Sequence, residues 1–164
     1  MPSFFFDSVV LSNFALTQNT DLLSDRYGKR AVLTSEVLDE IAHGVACGYE
    51  SLREIITKVS QDLFSTTSLR QEELSRYTTL LRTLGTGEAS CIVCAESRGG
   101  IVVTDDRAAR SACQDANVRF TGTVGILMVL STEKKLSPRK ADAILKAMVE
   151  QGFYSPVNSI SSLL

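Results

Sequence analysis

The chain has 164 residues, a formal net charge of −2, 44% hydrophobic residues and 22% charged residues. This size corresponds to one domain with its own core, and the composition is that of a folded protein and not of a disordered one. The lack of a basic excess argues against broad, non-specific wrapping of nucleic acid. It does not exclude a nuclease, because carboxylates that hold metal ions lower the net charge.

No apolar segment has the length of a membrane span. The most apolar run, residues 123–130, is well short of the roughly 20 residues that a spanning helix needs. The N-terminus carries three phenylalanines at positions 4–6 without a preceding basic region, which predicts a strand and not a signal peptide. Four cysteines without an export signal predict reduced thiols and a cytoplasmic location.

The first part of the chain alternates strand-like runs with helical spacing. Residues 3–6 predict a strand that is buried on both faces and ends at Asp7. Two short helices follow, and Gly28 is placed to end the second one. Residues 31–33 predict the second strand. A helix then begins at Ser35, with apolar residues spaced three and four apart.

The middle of the chain is mainly helical. The pattern predicts helices over about 49–59, 70–83 and 87–97, with a short strand near 62–64. Residues 65–68 are the most linker-like stretch, yet they are too short to divide the chain into two domains.

The last part contains the clearest strand. Residues 101–104 are apolar and β-branched, and they follow a glycine pair that predicts a turn. Asp105 is expected to open the next helix as its N-cap. A short strand at 118–120 and helices near 124–131 and 138–151 complete the chain. Alternating strands and helices predict a three-layer α/β/α sandwich with a central parallel sheet of four to five strands.

Acidic residues follow the ends of two predicted strands. Asp7 ends the first strand, and Asp105 and Asp106 follow the strand at 101–104. Ligands of open α/β sheets bind outside the carboxyl ends of the strands, where the strand order reverses. These acids are therefore expected to meet across one crevice, and Glu88 and Glu40 could close the cluster.

Such a cluster of carboxylates favours a metal ion. Four carboxylates repel one another unless a cation neutralises them, and oxygen ligands without a nearby histidine or cysteine select Mg²⁺ or Mn²⁺ over zinc. Such ions can activate water and stabilise the leaving oxygen of a phosphodiester. The alternative is structural: Asp7 in a turn, Asp105 as a cap, and Glu40 and Glu88 as solvated helix acids.

Four segments resemble successive motifs of PIN-domain proteins. They are residues 7–15 (DSVVLSNFA), 35–41 (SEVLDEI), 84–90 (LGTGEAS) and 103–110 (VTDDRAAR). Residues 121–127 and 151–153 also match an uncharacterised branch that is related to the toxin ribonucleases of toxin–antitoxin pairs. The resemblance runs over nearly the whole length, and the ordered set is more specific than any single motif.

The resemblance implies a single PIN-like domain over residues 1–164 that cleaves single-stranded RNA with Mg²⁺ or Mn²⁺. The implied catalytic acids are Asp7, Glu40, Glu88 and Asp106. Glu36 is the alternative to Glu40, and Asp105 is both the alternative to Asp106 and a candidate metal ligand beside Asp7, Glu88 and Asp106. Many PIN domains carry aspartate where this chain has Glu88, although this branch commonly has glutamate.

Other polar residues are candidates for contact with substrate. Ser8 and Asn13 match small polar positions that line the site of the family, and Arg107 and Arg110 lie on the helix beside it, where they could hold phosphates. The resemblance further implies an antitoxin protein as a partner and a homo-oligomer. The alternative function is a catalytically inactive PIN-fold module that binds RNA or protein.

Several other motifs carry less weight. Cys91 and Cys94 have the spacing of a zinc half-site but lack a second pair, so core packing is the better interpretation. His43 is the only histidine, which gives a histidine triad little support. Residues 85–87 lack the third glycine of a dinucleotide fingerprint, and Val9 stands where a DxD phosphatase would need an acid.

Overall fold

A computed structural model describes residues 1–164. Five strands form one sheet: β1 (Phe4–Phe6), β2 (Ala31–Thr34), β3 (Ser65–Thr67), β4 (Ile101–Val103) and β5 (Arg119–Thr121). Nine α-helices surround it: α1 (Ser8–Leu16), α2 (Thr20–Tyr27), α3 (Ser35–Ala46), α4 (Arg53–Ser60), α5 (Leu74–Leu80), α6 (Thr86–Arg98), α7 (Arg107–Asp115), α8 (Thr123–Thr132) and α9 (Pro138–Glu150). Four short 3-10 helices complete the chain: Gly28–Arg30, Glu50–Leu52, Gln71–Glu73 and Ser161–Leu163. None of the helices has both the length and the apolar character needed to cross a bilayer.

The sheet is parallel throughout and has the strand order β3-β2-β1-β4-β5. The predicted α/β/α sandwich with a parallel sheet is therefore confirmed, with five strands. The chain moves outward from β1 through β2 to β3 and then crosses to the other side for β4 and β5. The order thus reverses between β1 and β4, which are paired in the register Phe6↔Val103.

The core explains why the strands are so apolar. Phe6, Leu33 and Val103 have no exposed surface, because helices cover both faces of the central strands. Helix α6 contacts β1, β2 and β4. Cys91 and Cys94 of this helix are fully buried, as core packing predicts. His43 is exposed on α3, and Gly28 ends α2 with a φ of 53°.

The third strand lies three residues beyond its predicted position. Residues 62–64 are the more apolar stretch, but Asp62 has a φ of 61° and turns the chain, and Phe64 enters the core. The strand is Ser65–Thr67, which the sequence pattern assigns to a linker. As the edge strand beside β2, it pairs on one side only and stays partly exposed, so it needs little apolar content.

Candidate active site

Asp7 lies where β1 passes into α1. Its backbone N–H donates to the Val103 carbonyl at 2.9 Å, which extends the ladder between β1 and β4 by one residue. It is the N-cap of α1, and its Oδ1 accepts a hydrogen bond from the Ser8 N–H at 2.7 Å. Only 2% of Asp7 is exposed. The sheet therefore holds this carboxylate at the carboxyl end of β1, beside the point where the strand order reverses.

Thr104 occupies the matching position after β4. Its N–H donates to the Thr121 carbonyl at 2.8 Å, and its side chain is fully buried. The hydroxyl donates to Oδ2 of Asp7 at 3.2 Å and accepts from the Asp106 N–H at 3.2 Å. One hydroxyl thus connects the buried acid of β1 with the loop that follows β4. The sequence did not single out Thr104, because only the strand pairing brings it to Asp7.

Asp106, and not Asp105, is the N-cap of α7. Its Oδ2 accepts from the Ala109 N–H at 2.8 Å, while its Oδ1 has no hydrogen-bond partner within the protein. The prediction that Asp105 caps this helix is wrong. Both aspartates are suitable caps in sequence, and the choice depends on a partner for Asp105 elsewhere in the fold.

That partner is the start of α8. Oδ1 of Asp105 accepts from the Thr123 N–H at 2.9 Å, and its Oδ2 accepts from the Thr123 hydroxyl at 2.6 Å and from the Asn13 amide at 3.3 Å. The N-cap residue of α8 is Gly122, which has no side chain, so Asp105 supplies the cap from a distant position. A Cβ at Gly122 would lie 3.0 Å from the Thr104 carbonyl and overlap Asp105, so the close approach requires glycine.

Glu88 and Glu40 are contributed by two other helices, α6 and α3. Glu88 is half-buried in the first turn of α6, and its Oε2 accepts from the Gly85 N–H at 3.0 Å. Glu40 is exposed on α3 and reaches toward α6 over Gly87, where a Cβ would overlap its Oε1. The Glu40 side chain can therefore pack against α6 in this position only because residue 87 is glycine.

The acids divide between two neighbouring concavities. Asp7, Glu88, Asp105 and Asp106 line one cleft together with Asn13. Glu40 lines the adjacent concavity, which also contains Ser8 and Glu36. The structure thus brings together the four candidate metal ligands in one cleft and places Glu40 at its flank.

The electrostatics show that these acids interact. Burial and, to a smaller extent, the charges of Glu88 and Glu40 raise the pKa of Asp7, the hydrogen bonds from Thr104 and Ser8 oppose the shift, and the net result is a pKa of about 7. Burial and the charge of Glu88 raise the pKa of Glu40, although hydrogen bonds from Ser8 and Gly87 lower it. Burial raises the pKa of Glu88, the Gly85 N–H lowers it, and the Asp106 charge raises it.

These residues fit a divalent cation in chemistry and charge. All donors in the cleft are oxygens, which suit hard cations, and a cation would relieve the repulsion that raises their pKa values. No group of three or more His, Cys, Asp or Glu side chains is arranged so that it could hold a metal ion as placed. One oxygen of Glu88 and one of Asp106 are occupied by backbone N–H groups. Full ligation would use their other oxygens or a rotation of the Glu88 side chain.

The candidate substrate-binding residues differ in solvent exposure and in how many contacts they already make within the protein. Ser8 is buried, and Asn13 is buried with its amide donating to Thr123 and Asp105. Arg110 is half-buried, with its Nε donating to the Thr104 carbonyl at 2.9 Å. Arg107 is exposed and forms no salt bridge. Residues 151–154 also line the acidic cleft, and the sequence pattern alone did not assign them to it.

Comparison with known proteins identifies the family of the chain. No curated protein matches the chain. A family model described as a PIN domain matches residues 3–164, a range that includes every acid of the cleft. A match over nearly the whole length shows the family, and the chain belongs to the PIN-domain family.

Proposed function

We propose that this protein is an endoribonuclease that cleaves single-stranded RNA with Mg²⁺ or Mn²⁺. PIN domains are in general nucleases, and they usually use divalent metals. The observation that carries the proposal is the convergence of Asp7, Glu88 and Asp106 on one cleft at the reversal of strand order. This is the place where open α/β sheets bind their ligands.

Each acid has a distinct role in this proposal. Asp7, Glu88 and Asp106 would hold the cation, with Asp7 fixed by the sheet and Asp106 offering a free Oδ1. Asp105 would act mainly by tying its loop to α8, since hydrogen-bond donors already occupy both of its oxygens. Glu40 would shape the charge of the site from its flank. A bound cation supplies an activated water and stabilises charge on the phosphate.

Substrate contact would come from the arginines beside the acids. Arg107 is free to pair with a phosphate, and Arg110 is held in place by the Thr104 carbonyl. Guanidinium groups match phosphate geometry, so they can position the backbone of a strand while the acids act on one linkage. Ser8 and Asn13 would support the site from beneath, because both are buried.

The biological role that we propose is that of a toxin controlled by an antitoxin protein in the cytoplasm, as a homo-oligomer. The support is the resemblance of the six segments to the branch of PIN-domain proteins related to such toxins. A small antitoxin-like reading frame next to this gene would support this role. Co-expression of the two products should then suppress any growth defect that the protein causes alone.

A second candidate function is a PIN-fold module that binds RNA or protein without catalysis. It is favoured by one observation: no three acids are arranged to hold an ion as placed, and Glu88 is hydrogen-bonded to the Gly85 backbone. In this case the acidic residues would serve the fold, with Asp7 and Asp106 acting as helix caps.

One assay separates the two candidates. Metal-depleted protein is mixed with a labelled single-stranded RNA, and Mn²⁺ or Mg²⁺ is then added. We expect cleavage by the wild type and none by Asp7→Asn, with an unchanged circular dichroism spectrum. Asp25→Asn is the matched control, because it removes the same charge from an exposed position on α2. Equal cleavage by wild type and Asp7→Asn, or RNA binding without metal-dependent cleavage, would contradict the nuclease.

A further inference from the structure

A second cleft adjoins the acidic one and differs from it in chemistry. The two clefts share Asp105, Phe153 and Tyr154 in their walls. The second cleft adds Arg107, Arg110 and the Phe120 ring, and Asp105 is its only acid. We call it the Arg–aromatic cleft. A ligand that lies across both clefts would meet acids at one end and arginines with aromatic rings at the other.

The basic wall of the Arg–aromatic cleft is partly fixed. The Arg110 guanidinium donates to the Thr104 carbonyl at 2.9 Å, lies 3.7 Å from Oδ1 of Asp105 and stands 5.2 Å from the centre of the Phe120 ring. Arg110 is therefore held beside the loop that carries Asp106. Arg107 lies on the first turn of the same helix, is exposed and forms no salt bridge, so its full charge is available to a ligand.

The aromatic wall is formed by the segment after α9. Tyr154 is 93% exposed, whereas Phe153 is partly buried and packs on the core. The partly buried Phe153 anchors the backbone to the core, while the neighbouring Tyr154 ring faces solvent. Tyrosine rings of this kind provide a surface for nucleobases, because every base has a π face.

Hydrogen bonds hold this segment at both ends. At its start, the Phe153 N–H donates to the Met148 carbonyl of α9 at 3.0 Å. At its end, Asp142 of α9 accepts from the Ile160 N–H at 2.6 Å and from the Ser161 N–H at 3.0 Å. The segment that bears Tyr154 is therefore hydrogen-bonded to α9 at both ends, and this holds Tyr154 beside the acidic cleft.

We propose that the Arg–aromatic cleft binds the nucleotide next to the scissile phosphate, with its base stacked on Tyr154 and its phosphate paired with Arg107. This inference rests on the proposed function, because it identifies a subsite for the same RNA. A base can stack on a side chain only when it is unpaired, so the cleft also gives a physical reason for the preference for single strands. Two arginines favour a polyanion over an apolar peptide.

The test measures binding separately from cleavage. Fluorescence anisotropy of a labelled single-stranded oligoribonucleotide is followed with Asp7→Asn protein in EDTA, where no cleavage occurs. In this Asp7→Asn background, we expect the additional substitution Tyr154→Ala to weaken RNA binding about tenfold, since one stacked base contributes on that order. Tyr154→Phe should retain the affinity, because the ring remains. Tyr49→Ala is the matched control, as Tyr49 is 58% exposed and lines neither cleft.

A strand with one abasic nucleotide identifies the contact. We expect Tyr154→Ala to have little further effect on a strand in which the stacked base has been removed. Equal affinities for Tyr154→Ala and Tyr49→Ala would overturn the inference, as would an equal loss on the intact and abasic strands. Failure of every variant to bind RNA would also overturn it and favour a protein ligand for this cleft.

The outcomes for the two proposals remain distinguishable. Binding that depends on Tyr154, without metal-dependent cleavage by the wild type, would support a nucleotide-binding site in this cleft and reject the nuclease. Cleavage by the wild type, with binding that is insensitive to Tyr154, would support the nuclease and reject the subsite.

Discussion

The Thr104 hydroxyl lies 3.2 Å from Oδ2 of Asp7 and donates the only side-chain hydrogen bond that this buried carboxylate accepts. It lowers the pKa of Asp7 against the larger effects of burial and of neighbouring charges. The same hydroxyl accepts the Asp106 N–H. Thr104 is therefore a positioning residue for two of the proposed metal ligands.

Thr104→Val should raise the pKa of Asp7 above its value of about 7, because the hydrogen bond that favours the carboxylate is lost. Protons then compete with the metal ion up to a higher pH, and the acid limb of the cleavage profile should move upward. We also expect the free energy of unfolding to fall by about 1–2 kcal/mol, since the Asp106 N–H loses its acceptor. Thr104→Ser is the control. An acid limb that stays in place in Thr104→Val would contradict this role.

Metal-free protein should become less stable as the pH rises through the range from about 4 to about 7. The folded state holds a proton on Asp7, whose pKa is about 7, while the unfolded chain has released it above its value of 3.8. The free energy of unfolding should therefore fall by about 1.4 kcal/mol per pH unit from this group. Urea unfolding of wild type and Asp7→Asn measures the difference. A difference that does not change with pH would contradict the raised pKa.

The two adjacent aspartates should respond differently to the same substitution. Asp105→Asn should cost about 1–2 kcal/mol of stability, because two of its hydrogen bonds would face an amide donor. Asp106→Asn should change stability little, since asparagine is an equally good N-cap, but it should weaken Mn²⁺ binding. Thermal unfolding and Mn²⁺ titration measure the two effects. Equal loss of Mn²⁺ affinity in both variants would show that Asp105 is also a ligand.

Gly87→Ala tests the place of Glu40. The added Cβ would overlap Oε1 of Glu40, and the exposed glutamate can turn away. Stability should stay the same or rise by up to about 1 kcal/mol, because alanine favours the helix. With Glu40 displaced, its charge no longer raises the pKa of Asp7, which should fall. The pH dependence of the cleavage rate of Gly87→Ala should then match that of Glu40→Gln. A large difference between the two variants would contradict this account.

Glu73 and Arg98 should stabilise the fold down to strongly acidic pH. Glu73 is 2% exposed, and Arg98 donates to both of its oxygens, at 2.9 Å and 2.7 Å. The Arg98 hydrogen bonds lower the pKa of Glu73 to about 2. Its contribution should be full above its unfolded value of 4.5 and disappear as the pH falls through about 2. Glu73→Gln should lose about 2–3 kcal/mol at neutral pH and much less near pH 2.

Much of the fold could be predicted because its signals are local. The phenylalanines at 4–6 and the β-branched run at 101–104 mark the two central strands, and an acid after each marks the crevice. The parallel sheet then follows from the alternation of strands and helices. Asp7 and the pair Asp105 and Asp106 could be picked out for this reason, since they follow the ends of strands that the core must bury.

The remaining features depend on contacts between distant residues. The choice between Asp105 and Asp106 as a cap is made by Thr123, which is 18 positions away from Asp105. Residues 65–67 form a strand because the edge of β2 accepts their backbone, and not because of their side chains. The sequence around Tyr154 has no helical or strand periodicity. Its position near the site is apparent only from the hydrogen bonds that hold its segment to α9.

The cap that Asp105 supplies to α8 also makes the Thr123 amide a reporter of the site. Its N–H is held 2.9 Å from Oδ1 of Asp105, one residue from Asp106. An opening of this loop that moves the Asp105 side chain away from α8 would free this amide, whose exchange with solvent would then quicken. The loop that carries Asp106 is thus coupled to the first turn of α8 through Asp105 and Thr123. Hydrogen exchange of the Thr123 amide, followed by NMR, would report motion of this loop.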